Sequence, residues 1–447
     1  MNRLLIAVVL AVSLVTFGCQ QGERQQTQEG EEAEAAASYT DNPWTEGEDL
    51  SGTSVQIFGA FVEPGSDYFV DSMTEFEEQT GIEVEYEGSG DFESLISVRV
   101  EGGDPPDIAA FPQPGLLADM ARRGHIQDLN DWFDRSFLEE QYDESWLEIA
   151  TMDGIMAGLW YRANVKSLVW YPEPEFSEAG YEVPETWDEM MELSQTMADD
   201  GTPPWSIGIE SSGATGWVAT DWMEDIMLRT VTPEEYDAWV EGDLPFDSEE
   251  VRRAANIMGD IWFNEDFVLG GTQSILTVPF GDAAEPLFRD PPEAWLHRQA
   301  SFITDFFPDD ATVGEDVDFF YLPPIDEEEG KPVLGAGDIV GAFEDRPEVR
   351  AVMRYLATGE SIRAWVESGG VVAPHKDAKL EWYPTEANRR YAEILREADT
   401  FRFDGSDMMP GQVGTGAFWD QMTNWVGGQD LETVLANIDE SWPEEDR

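Results

Sequence analysis

Cysteine, lysine and histidine are scarce in this chain, and each scarcity closes off a class of chemistry. Cys19 is the single cysteine in 447 residues, so no internal disulfide can form. A cysteine nucleophile away from residue 19 is excluded with it. Lysine occurs only as Lys166, Lys331, Lys376 and Lys379. Lys and Arg together number 25 against 94 Asp and Glu, a formal charge of −69. A field of that sign repels phosphate backbones and anionic membrane surfaces, which argues against a nucleic-acid partner. His125, His297 and His375 stand far apart in sequence. There is no His-Glu-x-x-His zinc motif, no Gly-x-Ser-x-Gly elbow and no Gly-x-x-x-x-Gly-Lys-Ser/Thr phosphate loop. No metal or cofactor site is expected.

What is present is a large apolar complement. Hydrophobic residues make up 41% and aromatics 12%, including 17 Trp and 24 Phe, which a disordered acidic polymer would lack. The carboxylate excess therefore coats a folded protein and reads as adaptation to high ionic strength, where screening relieves self-repulsion. A calcium-dependent surface is the alternative, but no Asp-x-Asp-x-Asp-Gly loop occurs. At the start, Met1-Asn2-Arg3 precedes an apolar stretch from Leu4 to Phe17, too short to span a bilayer comfortably. With Gly18-Cys19 it resembles a bacterial lipoprotein signal, which implies a signal peptide over 1–18 and lipidation of Cys19. An ordinary cleaved signal with an incidental cysteine is the alternative. Residues 19–50, rich in Gln, Glu, Ala and Gly at their start, read as a flexible tether. Either way the expected location is outside the cytoplasmic membrane, in the periplasm or on its outer face.

From Ser54 onward, strand and helix patterns alternate. Ser54–Gly59 is β-rich; Phe69, Met73 and Phe76 share one helix face, stopped by Gly81. Ile82, Val84 and Tyr86 alternate as a strand, Phe92 to Val100 suggest a helix, and Ile108–Phe111 is a third strand before a helix around Leu116–Arg123. That βαβαβα order predicts an α/β fold with mostly parallel sheets flanked by helices, with ligands beyond the strands' carboxyl ends. Further along, Ile155–Tyr161 and Trp205–Ile209 read as strands, and Thr186 opens a capping box. Helices are expected from Trp217, Ser248, Pro347 and Thr385, and a strand over Val317–Leu322. Two lobes follow, with several crossings: 51–160 with 317–360, and 161–316 with 361–447.

Several segments resemble an extracytoplasmic solute-binding protein of an ABC importer, and within that family the carbohydrate and α-glucoside group. Glu75-Phe76-Glu77-Glu78-Gln79-Thr80-Gly81-Ile82-Glu83-Val84 and Gly102-Gly103-Asp104-Pro105-Pro106-Asp107-Ile108 carry the wider resemblance. Trp295-Leu296-His297-Arg298-Gln299-Ala300-Ser301-Phe302, Leu334-Gly335-Ala336-Gly337-Asp338, Phe403-Asp404-Gly405-Ser406-Asp407 and Pro410-Gly411 carry the narrower one. The resemblance implies a two-lobed periplasmic-binding-protein clamp that closes on a neutral oligosaccharide such as maltose, trehalose or sucrose. It also implies a membrane permease as partner, with the binding protein a monomer.

A sugar needs aromatic platforms for its C–H faces and polar partners for its hydroxyl rim. Strand-end positions nominate Phe61 and Glu63 after the first strand, and Phe111 and Gln113 at the third. Trp217, Asp221 and Trp222 open a helix of the second lobe, pairing aromatics with a carboxylate. His297 and Arg298 lie in the family-like segment, Asp338 lies where glycines let backbone approach a ligand, and Trp382 and Trp419 are late aromatics. The opposing reading is a secreted glycoside hydrolase, which needs two carboxylates ~5–10 Å apart. With 94 acidic residues such a pair is guaranteed and uninformative. A sugar-sensing protein not coupled to transport is a third reading, and no catalytic residue is nominated.

Overall fold

The computed structural model describes residues 39–443 except Asp143, Asp153 and Gly370. Cys19 and the expected signal peptide lie outside the described residues. Residues 39–50, expected to be tether, are docked on the first lobe instead. Trp44 packs edge-on against Tyr355 at 5.2 Å, and Arg354 Nη1 donates to its carbonyl at 3.1 Å.

Eleven strands are named here in chain order. They are β1 (Ser54–Gly59), β2 (Glu83–Gly88), β3 (Ile108–Phe111), β4 (Thr151–Met152), β5 (Ile155–Met156) and β6 (Leu159–Val165). Then come β7 (Leu168–Tyr171), β8 (His297–Arg298), β9 (Asp318–Tyr321), β10 (Pro332–Ala342) and β11 (Thr400–Phe403). The first lobe's sheet runs β11-β10-β3-β1-β2, with β6 also on β10. β1 pairs in parallel with β2 and β3, while β10 runs antiparallel to β3 and β6. All three parallel strands therefore end on one edge, at Gly59, Gly88 and Phe111. The helix Gly65–Thr80 returns the chain between β1 and β2; it buries Phe69, Met73 and Phe76 and stops at left-handed Gly81.

The second sheet, β8-β7-β9, is antiparallel rather than mostly parallel: β7 pairs antiparallel with both β8 and β9, which the chain reaches only after the helices of the second lobe. It lies between the two apolar cores. Along β7 the side chains alternate, Leu168 and Trp170 into the first core, Val169 and Tyr171 into the second. Helices build most of the second lobe. Their starts are chemically marked: Thr186 and Thr232 form capping boxes with Glu189 and Glu235, and Ser248 accepts from Val251 N.

Three expectations change. Trp205–Ile209 is irregular, held by single bridges to Val268 and Leu296, since Pro203 and Pro204 supply no ladder donors. Ile155–Tyr161 splits at Gly158, where a Cβ would meet Ile339 Cγ1 at 2.6 Å and Val340 O at 2.9 Å. The lobes also divide differently. β6 stays in the first sheet to Val165, β9 joins the second sheet, and Ile362 to Phe403 pack into the first core. Long-range packing decides that division, not chain order. Among the described residues no helix is long and apolar enough to cross a membrane.

Candidate functional site

A cavity of about 190 Å³ opens beyond the carboxyl ends of β1, β2 and β3 and is closed from the other side by the second lobe. Ala60 to Val62 follow β1, Ser89 and Gly90 follow β2, and Pro112 and Gln113 follow β3. The opposite wall is Trp217 and Asp221 from the helix Trp217–Met227, Ser406 and Asp407 after β11, and Trp419. Gly216 lets these elements meet: its φ is +118°, and a Cβ there would lie 2.4 Å from the Trp419 carbonyl.

One flank is aromatic. Trp217 meets Phe280 edge-on at 5.1 Å and Phe302 at 5.9 Å, and Phe280 meets Phe306 at 5.1 Å. A second aromatic group holds a cation. The Arg162 guanidinium lies 4.5 Å from the ring centres of both Phe61 and Trp365 and is ion-paired with Asp338. Lys166 is the other cation on the wall, 5.6 Å from the Trp217 ring. Its Nζ donates to Asp221 Oδ1 at 2.7 Å and to Asp404. Both cations of the cavity are thus already neutralised by protein carboxylates.

Burial governs the acids around it. It pushes Asp305 up to about 6, although the Trp365 indole N–H donates to it at 3.0 Å. Burial also raises Glu93 and Asp338 against the opposing pull of Gln113 and Arg162 respectively. Asp221 rises to about 7 by burial, with Lys166 opposing, whereas Lys166 overcomes burial at Asp404 and holds it at about 2. Four lining residues carry a buried polar atom that has no hydrogen-bond partner among the described residues: Gln113 Oε1, Asp221 Oδ2, Asp338 Oδ1 and the Trp419 indole N–H. Three of these are acceptors. Buried acceptors of this kind call for donors; Asp221 Oδ2 has the Arg298 guanidinium 3.5 Å away, which leaves Gln113 and Asp338.

Of the residues nominated from sequence, Phe61, Gln113, Trp217, Asp221, Asp338 and Trp419 line the cavity. The other six do not. Glu63 is exposed just before the Gly65–Thr80 helix and does not line the cavity. Phe111 is fully buried in the first core, edge-on to Phe92 at 5.4 Å. Trp222 follows Asp221 on its helix, about 100° around the axis, and so enters the second core between Trp205 and Trp262. The buried His297 ring hydrogen-bonds through Nδ1 to the Ser206 carbonyl at 2.9 Å, and burial lowers its pKa to about 4. Arg298 stands behind the wall, donating to Asp225 at 2.7 Å and lying 3.5 Å from Asp221. Trp382 packs in the first core beneath Arg363 and Lys379.

Sequence reasoning missed Arg162, Asn164 and Lys166, which come from one strand and the residue after it. The signal was available: three polar residues at alternate positions interrupt the apolar run Leu159–Val169 and so share one face. Trp365 and Phe280 carried no comparable local mark, while Asp407 lies in the family-like segment Phe403-Asp404-Gly405-Ser406-Asp407 but was not nominated.

The comparisons with known proteins agree with this geometry. The family model for bacterial extracellular solute-binding protein matches residues 58–358. The chain is 48% identical over 389 residues to the osmoprotective compounds-binding protein GgtB of Synechocystis sp., covering 87% of this chain and 92% of that one. It is 41% identical over 407 residues to the alpha-glucosides-binding periplasmic protein AglE of Rhizobium meliloti, covering 89% and 88%. Among solved structures, the bacterial solute receptor AcbH, described as having an exclusive preference for β-D-galactopyranose, superposes with a TM-score of 0.76 at 16% identity. That match covers 87% of this chain and 98% of AcbH. The shared architecture is the two-lobed solute-binding clamp.

Proposed function

Because the chain belongs to the bacterial extracellular solute-binding proteins of ABC transporters, we propose that its cargo is a neutral polyhydroxylated solute. An α-glucoside such as maltose, trehalose or sucrose is the first candidate, and the name of AglE supports that choice. The observation that carries the proposal is the pairing of an aromatic wall with buried acceptors on Gln113 and Asp338 that have no hydrogen-bond partner among the described residues. Hydroxyl donors satisfy those acceptors, and the sugar's C–H face covers Trp217. An anionic cargo would meet no free cation, since Arg162 and Lys166 are already paired.

Both lobes touch the cavity, so the solute favours the closed clamp by bonding to both walls at once. No bond is made or broken; the permease takes the solute intact. Cys19 anchors the protein by lipidation outside the cytoplasmic membrane, and the acidic surface suits a salty exterior.

Thermal unfolding in high salt against mono- and disaccharides tests the reading. A solute at about 1,000 times its dissociation constant adds about 4 kcal/mol of folded-state stability. The expected result is a saturable shift with the sugar recovered intact. Cleaved products would favour a hydrolase, and no shift in folded protein would remove the sugar class. Mass spectrometry of the exported protein tests the lipid on Cys19.

A further inference from the structure

Behind the second-lobe wall lies a dry group of charges whose sum does not balance. Asp221, Glu224, Asp225, Asp404 and Asp407 are all buried, as are only three cations, Lys166, Arg229 and Arg298. Arg229 and Arg298 both pair with Asp225, and Lys166 pairs with Asp221 and Asp404. Among the described residues no ion pair reaches Glu224 or Asp407. Glu224 Oε1 accepts from Ser406 N at 2.9 Å, but its Oε2 has no partner. Carboxylate oxygens of Asp221, Glu224 and Asp404 nevertheless lie within 4.8 Å of one another.

Lys166 bridges Asp221 and Asp404, but no cation reaches Glu224, so an ionised Glu224 would be repelled strongly by both neighbours in a dry interior. A proton removes the conflict. A divalent cation fits worse: only Asp221 Oδ2 and Glu224 Oε2 remain unused, against roughly six ligands needed, and Lys166 and Arg298 face the same oxygens.

We propose that Glu224 and Asp407 are held as neutral acids in the folded protein, and that Asp407, on the cavity wall, meets the solute as a hydrogen-bond donor. The second half rests on the solute-binding reading above. Burial raises both acids well above the usual carboxylate range, and the neighbouring Asp404 adds to it. The groups facing Glu224 are Asp221 on its own helix, Lys166 between β6 and β7, Asp404 after β11 and Tyr236 from the Pro233–Val240 helix. Asp407 faces Asp404, Lys166, Asp221 and, from the first lobe, Glu93. Acids that keep their protons when folded and lose them when unfolded make stability fall as pH rises above about 4.5. The Asp407 donor is lost only where the folded acid itself ionises, at the upper end of that pH range, and solute affinity falls there.

The full chain is first studied without solute. At about pH 7 the infrared carbonyl band of a buried protonated carboxyl is expected in the wild type, diminished in Glu224→Gln and in Asp407→Asn. Between about pH 6 and 9 the denaturant midpoint should fall in the wild type and fall less in Glu224→Gln, whose amide cannot ionise. Absence of the wild-type band, or an equal fall in the variant, overturns the proposal. So does a calcium-induced rise in the midpoint that Glu224→Gln abolishes, which would place a cation there. Calorimetry with maltose, trehalose and sucrose then tests the donor. Affinity should weaken by about tenfold per pH unit once Asp407 ionises. A pH-independent affinity alongside the band overturns the donor role. No binding at any pH, with the band present, sinks the solute reading while the neutral acids stand.

Discussion

Replacing Lys166 with methionine tests whether a buried charge or a merely convenient one holds the crossing between the lobes. The apolar stem is largely kept, and the ammonium shared by Asp221 and Asp404 is removed. At the 2.7 Å separation from Asp221 and an effective dielectric constant of 20, the lost attraction is about 6 kcal/mol. Part of it returns, because the stranded acids take up protons. Breaking a buried pair by removing one partner typically costs ~3–5 kcal/mol, and that is the expected loss here. Against a total stability of ~5–15 kcal/mol it is large enough to read by denaturant titration at neutral pH. The comparison variant is Arg252→Met, whose partner Glu432 is 65% exposed at 2.9 Å. That pair is worth ~0–1 kcal/mol and fades in molar salt, whereas the Lys166 effect persists because buried pairs are screened little. The gap should also narrow as pH falls below about 4, since Asp404 ionisation, held at about 2 by Lys166, no longer separates the two proteins. A loss below about 1 kcal/mol, or one that molar salt erases, would refute the reasoning.

Three further outcomes follow from the same geometry. Trp217→Ala should weaken sugar binding at least about tenfold by calorimetry with little change in unfolding midpoint; unchanged affinity would remove the ring as a platform. In Gly414→Ala the new Cβ would sit 1.8 Å from the Ser406 carbonyl, so the Ser406-Asp407 wall must move. We expect a loss on the order of 2 kcal/mol and weakened binding, and a fully stable variant would show that the wall can yield. His375 is buried, bonds the Leu356 carbonyl through Nε2 at 3.0 Å, and is pushed down to about 4 by burial. Its unfolded imidazole takes a proton near pH 6.5 while the folded one does not, so wild-type stability falls as pH drops from about 6.5 to 4, by up to about 3 kcal/mol. His375→Gln should lack that part of the acid slope, and an identical slope in both proteins would contradict it.

The first lobe was legible where its information is local. The spacing of Phe69, Met73 and Phe76, the stop at Gly81 and the alternation of Val84 and Tyr86 report a helix and a strand that the structure contains. The strand ends nominate Phe61 and Gln113, and both line the cavity. Trp222, His297 and Phe111 were misread for a physical reason. A side chain's direction depends on a helix rotation or a strand face, and neighbours differ by about 100° on a helix and point opposite ways on a strand. The antiparallel β8-β7-β9 sheet was also invisible, since its strands lie far apart in the chain.

By itself the sequence determined the chain's acidic surface, its lack of disulfides, the βαβαβα start and the motifs of its family, because composition and short-range periodicity act within a few residues. Tertiary structure alone decided which charges are buried and which face the solute. Lys166 meets Asp404 across 238 positions and Arg162 meets Asp338 across 176. Whether an acid is ionised depends on the dielectric and the neighbours that such long-range packing brings to it. The cavity exists only where both lobes converge, and no local pattern encodes that convergence.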